Sequence, residues 1–189
     1  MSVHKVRLLT LGYFVIAVAM RFMPHGVNFT AVGALALFAG CYLTVPQGML
    51  LGLGAMAFTD VVGHMLDMES MSLYHRPTML AVYACFALPS LLGWTLRGRV
   101  SIKSVPAAAV ASSAIFFVVT NFAAWLDPQM SFEMSAAGLM KCYIDALPFA
   151  VNNLFGTLLF SCAFFGVHAW LSRRAASAQR ATDSMRSIS

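Results

Sequence analysis

Apolar residues come in long runs, broken by short polar stretches that hold most of the prolines. Six such runs stand out, at roughly 8–24, 29–46, 48–66, 78–96, 105–126 and 146–171. Each approaches the ~20 residues needed to cross the hydrocarbon core of a bilayer. In lipid an open strand would leave backbone groups unpaired, so these runs are expected as helices. Pro24, Pro46, Pro77, Pro106 and Pro128 fall at or near run ends, where a helix stops or starts. Pro89 lies inside the fourth run and predicts a kink, and Pro148 suits the first turn of the sixth. The expected fold is an all-α integral membrane bundle of six transmembrane helices over 1–174, followed by a small, polar, disordered tail at 175–189.

Composition agrees with that pattern. Of 189 residues, 60% are hydrophobic and 10% charged, with a mean hydropathy of +0.78. Soluble domains carry about 25% charged residues. The net charge of +5 raises the question of nucleic acid, but its distribution argues for topology instead. With six crossings both termini share one side. Lys5, Arg7, Arg97, Arg99, Lys103, Arg173, Arg174, Arg180 and Arg186 fall there, against Arg21, Arg76 and Lys141 opposite. Nine against three places both ends in the cytoplasm by the positive-inside rule. Lys5 and Arg7 before an apolar run ending Ala17-Val-Ala19 also resemble a secretory signal, yet the next segments are more membrane rather than a soluble domain.

The outer loops are the longer ones. The segment 127–145 mixes Phe132, Met134, Leu139 and Tyr143 with polar residues and predicts a short amphipathic helix at the interface. Ionisable groups crowd one boundary, from Asp60-Val-Val-Gly-His64 through Asp67 and His75-Arg76 to Cys85. Charge at membrane depth is costly and by default faces a cavity or a partner. Asp60 and His64 are four apart and share a helix face, which Asp67 continues. Alternatively, the pair only helps to pack helices. His25, His64 and His75 could meet at the outer mouth, but no HxH or HxxxH spacing supports a metal site. Cys85 sits about 10 Å into the fourth helix, at ~1.5 Å per residue from Thr78. Most such cysteines are small buried hydrophobes. The four cysteines, 41, 85, 142 and 162, have no CxxC spacing, which argues against a disulfide framework. Asn121, Asn152 and Asn153 offer amides to a ligand or, more commonly, to another helix. Ala36/Gly40 and Gly48/Gly52 have the spacing of close helix contacts. No Walker motif is present, so any energy for transport comes from another subunit or an ion gradient.

The run Arg21-Phe-Met-Pro24-His25-Gly-Val-Asn28-Phe-Thr30-Ala-Val-Gly-Ala-Leu-Ala-Leu-Phe-Ala-Gly40 resembles the opening of a family of small six-helix membrane proteins. These are related to the substrate-binding S-components of energy-coupling factor transporters. Phe116-Phe-Val-Val-Thr120-Asn121-Phe122 and Cys142-Tyr-Ile-Asp-Ala-Leu-Pro148-Phe-Ala-Val-Asn152-Asn153 extend the likeness. Within that group, Tyr83-Ala-Cys85-Phe86-Ala-Leu looks like the BtuM branch, the predicted cobalamin transporters. The resemblance implies uptake of cobalamin (vitamin B12) across the bacterial inner membrane, with Cys85 on the cobalt and assisting removal of cyanide. It also implies a coupling ATPase module as a partner beside membrane lipid. A corrinoid cavity needs polar partners, for which His25, Asp67, Tyr83, Asn121 and Asn152 are candidates, and His25 or His64 could offer a nitrogen to the opposite cobalt face. Two other readings stand beside this one. One is an S-component for another vitamin or a metal ion; the other is a membrane enzyme with Cys85 and His64 as nucleophile and base.

Overall fold

The computed structural model describes residues 1–24, 26–68 and 76–186. The described residues form helices α1 (Val3–Phe22), α2 (Val32–Tyr42), α3 (Val45–Met65), α4 (Arg76–Thr95), α5 (Ser104–Leu126), α6 (Ala136–Asp145) and α7 (Leu147–Arg186). A 3-10 turn, Pro128–Met130, precedes α6. Five helices (α1, α3, α4, α5 and α7) are long and apolar enough to cross a membrane, which makes this a multi-pass membrane protein.

The second expected span, 29–46, is helical only in part. Its helix has 11 residues, about 16 Å at ~1.5 Å per residue, against ~30 Å of hydrocarbon. Instead of facing lipid, α2 is the core: every residue from Val32 to Cys41 is buried. It is apolar on all sides, the pattern of a helix enclosed by others. Residues 26–31 before it are not helical. Irregular backbone at membrane depth persists where protein buries it or where it lines a cavity, and Val27, Asn28, Phe29 and Thr30 line one.

The break between the second and third segments falls at Thr44, because that residue caps α3. Its side chain accepts from Gln47 N, and the Gln47 side chain accepts from Thr44 N, with a proline in the first turn. Such a box satisfies two orphan helix donors. Thr44→Ala is expected to lower stability by about 1 kcal/mol in detergent unfolding, while Thr44→Ser stays near wild type. Equal losses in both variants would show that the cap contributes nothing.

Glycines let the central helices touch. A Cβ at Gly40 would stand 2.1 Å from the Ser90 carbonyl oxygen, and one at Gly48 2.8 Å from Gly40 N. The small-residue pairs at 36/40 and 48/52 thus serve packing within the bundle. Pro89 sits inside a continuous α4 and withholds the N–H that would have bonded the Cys85 carbonyl. Aromatic packing joins α1, α2 and α7, where the Tyr13 ring stacks on Phe164 at 3.9 Å and the Tyr13 hydroxyl donates to the Phe164 carbonyl at 2.8 Å.

The short amphipathic helix expected in 127–145 is α6. Its cap is Ser135, whose side chain accepts from Gly138 N. The tail beyond residue 174, expected as disordered, continues α7 to Arg186. Its alanines favour helix, and Gln179 donates to Asp183 one turn on at 3.1 Å.

Candidate functional site: a cavity at one end of the bundle

Arg21 ends α1, Asp60 lies in the last third of α3, and Tyr83 lies in the first half of α4. The fold brings them together. The Arg21 guanidinium donates through Nη2 to Asp60 Oδ1, and the Tyr83 hydroxyl donates to Asp60 Oδ2 at 2.9 Å. Arg21 Nη1 points at Met56 Sδ, 3.1 Å away. Asp60 is 7% exposed, so each charge is held by the other in a largely dry setting.

This network forms one wall of a cavity of about 690 Å³. Its apolar lining includes Phe29, Phe86, Phe116 and Phe149, with Met56, Met68, Met79 and Met130. Aromatic and thioether surface of this kind adapts to a large apolar ligand. Polar groups come from Asn28, Thr30, Thr120, Asn121, Asp145 and Asn153. The end of α1 and the beginning of α7 both line the cavity, so the start of α1 and the far end of α7 point away from it.

Several sequence candidates reach this cavity. Tyr83 lines it as part of the ion-pair network. Asn121 lines it too, with Nδ2 donating to the Phe117 carbonyl at 2.7 Å. Asn152 is outside the lining and braces it instead, donating Nδ2 to the Val27 carbonyl at 3.1 Å. The next residue, Asn153, is 4% exposed and faces the cavity. His64 and Asp67 are exposed and outside the lining. Asp67 follows the end of α3 with φ +54°, a left-handed conformation that terminates the helix. His25 and His75 lie outside the described residues.

Cys85 is 4% exposed, so its sulfur is turned away from lipid, yet it does not line the cavity. The cavity face of α4 is Thr78, Met79, Val82, Tyr83 and Phe86. Cys85 is buried while His64 is exposed near the end of α3. The cysteine that does line the cavity is Cys142 on α6, 2% exposed, with Sγ donating to the Asn121 carbonyl at 3.4 Å. Burial, and then the Asp145 carboxylate, raise its thiol above the usual range. All four cysteines are free. Among the described residues no His, Cys, Asp and Glu side chains group as a metal site.

Sequence reasoning passed over Arg21 and Cys142. Arg21 had a readable signal, because a cation closing one apolar run and an Asp inside another are natural partners. Cys142 had none, since its run is amphipathic and its inward face is set by how α6 folds back on α5.

Fold and cavity together define a helical membrane protein with a cavity at one end. The chain belongs to the family of unknown function DUF6580, whose model matches residues 2–180. No curated protein and no solved structure matches it.

Proposed function

We propose that this protein is the substrate-binding membrane component of an uptake system of the energy-coupling factor type, with cobalamin as its cargo. It sits in the bacterial inner membrane with both termini cytoplasmic and the cavity facing outward. The central helix α2 with its non-helical lead-in completes the sixth crossing. The observation that carries the reading is the cavity: a chamber at one end of a motorless helical bundle, with aromatic walls and polar groups placed among them. The positive-inside count supports the orientation, since the cavity end carries the fewer cations. The likeness of Tyr83-Ala-Cys85-Phe86 to the BtuM branch supports the choice of cargo. Transport is driven by a partner ATPase module.

A sulfur on cobalt is part of the proposal. The thiol gives up its proton, its lone pair bonds cobalt, and cyanide leaves with its electron pair as hydrogen cyanide. Soft sulfur suits this exchange, and the thiol's proton leaves on the cyanide, so the step releases no free proton. Cys85 lies beside the cavity-facing residues Val82 and Phe86 of α4 without lining the cavity itself, whereas Cys142 lines it. Protein purified with cyanocobalamin is expected to show a cobalt–thiolate absorption band. Loss of the band in Cys85→Ala assigns the ligand to Cys85, and loss only in Cys142→Ala assigns it to Cys142. A spectrum identical in wild type and both variants rules out sulfur ligation.

A second reading is an S-component for a smaller vitamin. The cavity favours it on size, because about 690 Å³ falls in the ~300–1,000 Å³ range of drug-sized ligands. Cobalamin is larger and would leave part of itself in the mouth. Equilibrium binding against a vitamin panel separates the two.

A further inference from the structure

We infer that the cavity selects an uncharged ligand bearing carboxamide or lactam groups, and that Asn153 and Asn28 read those groups. The inference rests on the cavity being the cargo site.

The first observation is charge balance. Among the described lining residues the one full cation is Arg21, and it is spent on Asp60. The other lining carboxylate, Asp145, is paired with Lys141 at 2.6 Å. An anionic ligand would lose its hydration without gaining a free cation, and a cationic one would have to compete for a carboxylate already engaged. A neutral ligand meets neither cost.

The second observation is the set of amides. Asn28, Asn121 and Asn153 all line the cavity. Asn121 has committed one N–H to the helix backbone, leaving its other N–H and its carbonyl. Asn153 has committed nothing: it is 4% exposed, and no hydrogen bond joins its side chain to the protein among the described residues. Its amide is reached from the cavity rather than sealed inside the bundle. The contrast with Asn152, which braces the Val27 carbonyl, separates a structural amide from one left for the cavity. Asn28 is exposed at the mouth with φ +66°, a conformation asparagine tolerates well. A carboxamide presents a donor and an acceptor in one plane. Its natural complement is another carboxamide or a lactam edge, paired through two hydrogen bonds. The phenylalanine walls take the apolar body of the same ligand.

The test is equilibrium dialysis of the full chain in detergent against three neutral and anionic pairs. These are cyanocobalamin and its monocarboxylate with one propionamide hydrolysed, riboflavin and its phosphate ester, and nicotinamide and nicotinate. In at least one pair the neutral member is expected to bind about ten-fold or more tighter than its anion, the scale of one lost hydrogen-bond partner. Asn153→Leu and Asn28→Gly should each weaken that binding by roughly ten-fold with unchanged melting temperature. Asn28→Gly preserves the backbone and guards against a folding defect in the buried variant. The inference is overturned if no neutral member outbinds its anion, or if both variants bind like wild type. Whole-cell uptake distinguishes this from failure of the transport reading. Amide-dependent binding without uptake sinks the transporter and keeps the inference; uptake of an anionic vitamin does the reverse.

Discussion

Asp60→Ala is expected to cost the folded protein about 3–5 kcal/mol, the usual consequence of removing one partner from a buried ion pair. The loss comes from what is left behind. Arg21 would keep its charge with 14% of its side chain exposed, and the Tyr83 hydroxyl would lose its acceptor. Three helices, α1, α3 and α4, meet through that one carboxylate. The double variant Arg21→Met with Asp60→Ala should recover much of the loss, because a neutral pair of similar bulk has no stranded charge. Denaturation in detergent of the four proteins of the cycle measures the coupling. Additive losses would mean that Arg21 and Asp60 do not depend on each other.

Gly93→Ala is expected to disrupt the bundle at its centre. A Cβ there would stand 2.0 Å from the Leu37 carbonyl oxygen and 2.9 Å from Cys41 N. Both are backbone atoms of α2, which is held on every side and cannot yield as a side chain would. The cost should reach or exceed the upper end of the about 1–3 kcal/mol typical of overpacking. Gly54→Ala is the matched control, since a methyl added there would meet nothing within 4 Å. It should stay within about 0.5 kcal/mol of wild type, as surface changes do. Comparable melting temperatures for the two variants would refute the close α2–α4 contact.

Much of this architecture was legible because lipid imposes long apolar runs. The spans of α3, α4 and α5 follow hydropathy to within three residues, and α1 begins five residues earlier than its apolar run. The amphipathic pattern of 136–145 marked α6. What hydropathy hid was α2. A helix buried in protein and a helix facing lipid are equally apolar, so the run 29–46 reads as one span when α2 covers only Val32–Tyr42 and α3 already begins at Val45. The site was legible in part. Tyr83 and Asn121 reach the cavity because they lie on helix faces that turn inward. Of the adjacent pair, Asn153 lines the cavity and the candidate Asn152 does not. Neighbouring residues differ by about 100° around a helix, and sequence does not say which one faces in. Spacing from Asp60 draws His64 and Asp67 toward the site, but α3 ends there and both are exposed. Cys85 illustrates the same limit: its depth was readable and its azimuth was not.

The most direct measurement is titration of cyanocobalamin into purified wild-type protein and into Ala124→Trp. Ala124 lies on α5, is buried and lines the chamber, so an indole in its place fills space the cargo requires. Saturable one-to-one binding to wild type, abolished in the folded Ala124→Trp variant, is the predicted result. Equal binding by both proteins, or none by wild type, would contradict cobalamin uptake through this chamber.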